Sequence, residues 1–213
     1  MAAILDSRRS LKVYCADVGS IARGRFGWSA RSRGTEKSGT SIEQLALAVA
    51  RDLDAGEPVA LGFECPLFIP FVADPSRLGC ARDGEGARAW SAKSGSGSLV
   101  TGLVQVAWLL NSIKHDAEQS HRAFLDWTAF ATEYRGLFLW EAFVSGASKR
   151  GSHVDDAAAA VAAFVEALPD PRSSVHCNGD VYSLVGAALL RTKWSADLAL
   201  LSQPSLVIRA SAP

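Results

Sequence analysis

Apolar residues along the chain switch between two periods. From 11 to 18 (LKVYCADV) they run almost without a break, which predicts a buried strand. Residues 24–33 (GRFGWSARSR) follow a glycine-bearing turn and read as the hairpin partner of that strand. Ser41, with Gln44 three residues later, has the capping-box pattern, and Ile42, Leu45, Val49 and Leu53 then recur on one helical face. Residues 58–64 (PVALGFE) predict a second short buried strand. Leu99, Leu103, Val106, Leu110 and Ile113 form another helical stripe, and a further helical piece is expected at about 121–134. Residues 137–144 (LFLWEAFV) read as an apolar strand with one carboxylate, Glu141, inside it. Val154, Ala158, Val161, Val165 and Leu168 mark an amphipathic helix, residues 180–191 a last helix, and residues 205–209 a last strand. Strand, hairpin, helix and strand in this order predict an α/β domain with a mixed sheet.

Residues 65–98 break the pattern. They hold Pro66, Pro70 and Pro75 and end in the small, polar run SAKSGSGS, which predicts a long loop or insertion. With no repeat and no dividing linker, 213 residues read as one domain.

Composition narrows the class. Hydrophobic residues make up 48% and charged residues 21%, which excludes a disordered chain and suits a domain with a sizeable core. The formal net charge is zero, but residues 1–40 carry 8 basic and 3 acidic side chains, so the excess positive charge lies at the start. That distribution points to an anionic partner near the N-terminus, although a mixed-sign solvated surface gives the same counts. No apolar run approaches a membrane span and MAAILDSRRS lacks a signal-peptide core, so the expectation is a cytoplasmic protein with no membrane partner. Cys15, Cys65, Cys80 and Cys177 have neither a CxxC nor regular spacing, which indicates neither zinc nor a disulfide framework.

The chemistry lies in three carboxylates. Asp17 is near the end of the first strand, Glu64 ends the second buried strand, and Asp180 opens the last helix. A charge in an apolar strand is costly unless it is paired, solvated or bound to a cation. Carboxylates converging from strand ends suit Mg²⁺ or Mn²⁺, and two such ions can stabilise both oxygens of a phosphodiester displacement. Each acid also has a plainer reading: a turn acceptor at Asp17, an arginine partner for Glu64, an N-cap at Asp180. Asp155 and Asp156, beside His153, can replace Asp180 as ligands or simply complement a helix dipole. Arg23, Arg25, Arg31 and Arg33 on the hairpin are candidate phosphate contacts, and Trp28 and Trp90 candidate base stackers. No P-loop, dinucleotide fingerprint, GxSxG elbow or HExxH helix is present.

The order of elements, with acids ending the first strand and the strand after the first helix, resembles the ribonuclease H-like superfamily. More narrowly, the chain is similar to an uncharacterised family of bacterial and archaeal predicted nucleases. The similarity is carried by Asp17-Val18-Gly19, Gly27-Trp28, Glu64-Cys65-Pro66-Leu67, Cys80 with Arg82, Glu141-Ala142-Phe143, Lys149 with Gly151, and the Ala-rich segment from Asp180 to Leu189. Glu64 stands where that family usually has Asp, Val18 separates Asp17 from its glycine, and Ser183 stands where a second Asp often falls. The resemblance implies a ribonuclease H-like mixed central sheet with helices on both faces. It also implies a metal-dependent nuclease: Asp17, Glu64 and Asp180 would be ligands, Glu141 a further acid, and Arg82 a contact to nucleic acid. Two other readings compete. One is a non-catalytic module of the same fold that binds a partner or a second copy through its apolar helices. The other is an actin-like or sugar-kinase-like phosphotransferase, suggested by Asp17-Val18-Gly19-Ser20, for which the chain is short.

Overall fold

Three central strands carry side chains that alternate between two covered faces, which is why their sequences are apolar nearly throughout. The computed structural model describes residues 10–86, 89–144 and 146–211. Its strands are β1 (Lys12–Asp17), β2 (Gly27–Ser32), β3 (Thr35–Gly39), β4 (Pro58–Phe63), β5 (Phe68–Pro70), β6 (Ala123–Phe124), β7 (Gly136–Phe143), β8 (Val181–Ser183) and β9 (Leu206–Arg209). Its helices are α1 (Ile42–Asp54), α2 (Ser94–Asp116), α3 (Trp127–Glu133), α4 (His153–Glu166) and α5 (Leu184–Arg191).

The main sheet runs β3-β2-β1-β4-β7, and β6 and β9 share the far edge of β7. β6 pairs beside Leu137 and Phe138, and β9 beside residues 140–143. The first three strands are antiparallel neighbours, whereas β1, β4 and β7 are mutually parallel. The protein is therefore α/β with a mixed central sheet, and an antiparallel start followed by parallel strands is compatible with a ribonuclease H-like topology.

Alternation sorts the core into two layers. Tyr14 and Ala16 of β1, Leu61 and Phe63 of β4, and Leu137 and Leu139 of β7 face α1, α2 and α5. Val13 and Cys15, Ala60, and Phe138 and Trp140 face α3 and α4. Trp140 lies where a Cβ on Gly62 would come within 2.3 Å of its ring, so the neighbouring strand must have glycine there.

The elements follow local signals where those exist. Ser41 Oγ accepts the Gln44 N–H at 3.0 Å and caps α1. β3 was not expected, because TEKSG contains no apolar residue. It is an exposed edge strand, reached through a tight turn in which Arg33 and Gly34 both have positive φ. The proposed loop at 65–98 ends early, since Ser94 already opens α2. The expected helix at 180–191 begins with β8, because Val181 and Ser183 pair with Pro70 and Phe68 of β5. Of the expected α2 stripe, Val106, Leu110 and Ile113 are buried, but Leu103 is 45% exposed beside Val100, Val104 and Trp108. By length and composition α2 is the one described helix that could cross a membrane, a criterion that a core helix also meets. Here one side of it packs against α1 and α5.

Candidate metal centre

The carboxyl ends of β1 and β4 lie side by side because the strands are parallel, with Ala16 opposite Phe63. Asp17 is the last residue of β1, and Glu64 follows β4, its N–H donating to the Ala16 carbonyl at 2.8 Å. The two acids thus project from neighbouring strand ends, at the edge where open α/β sheets hold their ligands.

The third acid comes from α4. Ser152 caps that helix, and its hydroxyl donates to Asp155 Oδ2 at 2.6 Å, so Asp155 belongs to the cap. Asp156, one residue on, shares the helix face of the buried Ala160 and Phe164 and is itself 4% exposed. The α4 N-terminus reaches the strand ends because β2 has glycine opposite Asp17. A Cβ on Gly27 would lie 2.5 Å from the backbone of His153 and Val154. One oxygen from each of Asp17, Glu64 and Asp156 lies within 4.8 Å of the others.

Two cationic or ionisable side chains enter this cluster. Lys149 Nζ donates to Glu64 Oε1 at 2.8 Å and to Asp156 Oδ2 at 2.9 Å. His153 Nδ1 lies 2.5 Å from Asp17 Oδ2. The Arg150 N–H donates to Asp156 Oδ1 at 2.5 Å. Glu64 Oε2 is buried and has no hydrogen-bond partner.

One lysine is too little positive charge for three carboxylates shielded from water. Burial raises the Asp17 carboxyl to about 7, the Lys149 charge opposing this and the Asp156 charge adding to it. Burial and the neighbouring Asp17 raise Glu64 to about 8. For Lys149, burial works against the charged form, but the Glu64 carboxylate outweighs it and the ammonium is held above its ordinary value. Hard carboxylate oxygens, one of them buried without a partner, form a donor set that fits Mg²⁺ or Mn²⁺, and Asp17, Glu64 and Asp156 can hold a metal ion.

These acids open on a cavity of about 170 Å³ between the sheet edge and the segment that leads into α2. Its other wall includes Trp90 and the first turns of α2, at Ser94, Gly95 and Ser98.

The remaining candidates sit elsewhere or are already engaged. Asp180 is not part of this cluster; it is exposed, lines a different cavity with His176 and Cys177, and its carbonyl accepts the Phe71 N–H. The replacement arises because the last helix begins only at Leu184, after β8, with Ser183 as its cap. Glu141 lines the cavity but is bound in a buried pair, its Oε1 2.6 Å from Arg82 Nη2 and its Oε2 accepting Arg82 Nη1 and the Leu67 N–H. Arg82 is 3% exposed and bonds Glu85 as well, so it ties the 71–93 segment to β7 and is closed to a phosphate. Arg31 pairs with Glu36 and lies opposite Val13, four residues and about 13 Å along the strand from the Asp17 end. Trp28 is buried in the core, which removes it as a stacker. Arg23 and Arg25 are exposed on the link that leaves Asp17 and returns at Gly27, at the same sheet edge as the acids.

His153 was the residue whose role the sequence concealed. Its only signal was its place at the start of an Ala-rich helix beside two aspartates. A scan against protein-family models finds no match to this chain, and no curated protein or solved structure matches it.

Proposed function

We propose that the protein is a metal-dependent nuclease that hydrolyses phosphodiester bonds of nucleic acid at the Asp17–Glu64–Asp156 cluster. The convergence of Asp17, Glu64 and Asp156, with one oxygen of each within 4.8 Å of the others and Glu64 Oε2 buried without a donor, supports this reading, since three acids crowded out of water are costly unless a cation or protons neutralise them. A divalent cation bound there would lower the pKa of a bound water and stabilise charge developing on the phosphate oxygens.

The chain's own groups would do the rest. Asp17 and Glu64 supply ligand oxygens from rigid strand ends, and His153 holds Asp17 in one orientation through the contact at 2.5 Å. Lys149 offsets part of the local negative charge. Across the cavity, the positive dipole end of the 23-residue α2, which has no side-chain cap, favours an anionic group such as a phosphate. Trp90 in the same wall offers an aromatic face to a base. Arg23 and Arg25 would contact the flanking backbone without reading its sequence.

The test is cleavage of labelled RNA, DNA and a branched junction under Mg²⁺ and Mn²⁺ titration. Divalent-dependent cleavage is expected, reduced by about 100-fold or more in Asp17→Asn and Glu64→Gln and unchanged in Asp180→Asn. Cleavage that persists in Asp17→Asn, or a protein that binds no divalent cation, overturns the reading. In the latter case the cluster is an ion-paired brace in a binding module.

A further inference from the structure

Building on the metal reading above, we infer that the centre takes one divalent cation, held chiefly by Asp17 and Glu64, and that the Lys149 ammonium stands where a second ion would sit.

The oxygens divide into two groups. Asp156 is committed on both sides: Oδ1 accepts the Arg150 N–H at 2.5 Å and Oδ2 accepts Lys149 Nζ at 2.9 Å. Glu64 gives Oε1 to Lys149 at 2.8 Å, while its Oε2 is buried and open. Asp17 contacts His153 and the neighbouring Glu64 carboxyl, a contact between two acids that a cation would replace, and among the described residues no lysine or arginine comes within ion-pair distance of it. The vacant acceptor capacity is therefore on the Asp17–Glu64 side, and the Glu64–Asp156 side is already bridged by a positive charge. A second dication placed on that bridge would meet the ammonium at van der Waals distance and would have to displace it.

The charge count agrees. With the acids deprotonated, as cation binding requires, three carboxylates and one ammonium leave two negative charges, which one divalent cation cancels. A second would leave two positive charges in a largely buried site, of which a single phosphodiester offsets one.

Lys149 is held in place by its backbone. The preceding Ser148 is buried and its hydroxyl donates to the Ala210 carbonyl at 2.8 Å, just past β9, and the Lys149 N–H closes onto the Gly146 carbonyl. The ammonium is delivered to the cluster from a fixed turn, between two carboxylates that are themselves 11% and 6% exposed at the side chain. Lys149 itself is 49% exposed, but its acceptors are largely buried and its backbone is tied down, which sets it apart from a pair on free surface side chains. Lys149 is thus a positioning residue that sets how many ions the acids accept.

The test counts ions directly, by titration calorimetry with MnCl₂ and by the loss of the free Mn²⁺ signal in electron paramagnetic resonance. Wild type is expected to bind one ion. Lys149→Gln, which keeps a polar chain and removes the charge, is expected to bind two. Lys149→Arg, which restores the charge, is expected to return to one. Two ions on wild type or on Lys149→Arg would overturn the inference and leave the metal-centre reading standing. One ion on a folded Lys149→Gln would overturn the role of the lysine. No ion on wild type would overturn the metal-centre reading itself. If Lys149→Gln fails to fold, Lys149→Met, which also removes the charge, is counted in its place, with two ions expected and one overturning the role of the lysine.

Discussion

At the scale of single residues, Asp17 and Glu64 are acids held where their charged forms are poorly solvated. Both are raised by burial, Asp17 to about 7 and Glu64 to about 8. In the unfolded chain they would ionise near about 4. Below that both states are protonated and the groups cost the fold nothing. As pH rises from about 4 toward 8, the unfolded chain loses protons that the folded one retains, so the metal-free protein loses stability across this window. Cation binding requires the deprotonated acids, so affinity rises over the same window and protons are released. The stabilisation by Mn²⁺ in thermal melts should therefore be small at pH 5, larger at pH 6.5 and largest at pH 8. A stabilisation that does not vary with pH would contradict the carboxylates as the ligands. Residue-level reading located Asp17 and Glu64 because an acid ending an apolar strand is anomalous in one dimension. It could not choose between Asp156 and Asp180, since both precede helices and acids in a first helical turn are ordinary.

At the scale of elements, the centre depends on how closely α4 approaches the sheet. Gly27 permits that approach, because a Cβ there would lie 2.5 Å from the backbone at His153 and Val154. The obstacle is main chain, which cannot swing aside as a side chain can. Gly27→Ala should push the α4 N-terminus, with His153 and Asp156, away from Asp17. It should destabilise the protein by about 1–3 kcal/mol in urea unfolding and weaken Mn²⁺ binding. A variant with unchanged midpoint and affinity would show that the helix end is not held by this contact. Legibility at this scale followed locality. α1 was readable from its cap and its apolar face, and β1, β4 and β7 from their unbroken apolar runs. β3 was not, because an edge strand with both faces exposed has no hydrophobic pattern to read. β5 and β8 were not, because three-residue strands that pair across more than 100 positions leave no local signature. The apolar stripe of α2 includes Leu103, yet neighbours cover only one side of that helix and leave Leu103 exposed with Val100, Val104 and Trp108.

At the scale of the whole molecule, the zero net charge conceals a division that the fold turns into geometry. Parallel pairing of β1 with β4 collects the acids at one sheet edge, and the β1–β2 link leaves Arg23 and Arg25 exposed at that edge. Arg31 belongs to the other end of β2. If the arginines contact phosphates, Arg23→Ala with Arg25→Ala should weaken binding of single-stranded nucleic acid of any sequence. The slope of log affinity against log salt should fall by roughly 1.4 for the two contacts. Arg31→Ala should leave that slope unchanged. Filter-binding titrations in a salt series separate these outcomes, and an unaltered slope in the double variant would exclude the link as a phosphate contact.

Sequence alone determined the α/β class, the central strands, the capped first helix, and two acids out of place in apolar strands. All of these rest on periodicity and propensity, which act over a few residues. Tertiary structure decided the rest. It brought the α4 N-terminus across the strand ends, made Asp156 the third acid, and set Lys149 between two carboxylates. It also closed Arg82 and Glu141 into a buried pair and left Asp180 outside the cluster. The physical reason is that burial, charge pairing and metal geometry depend on which distant segments meet. Those meetings are set by strand register and by the few positions, such as Gly27, where backbones come close enough to touch.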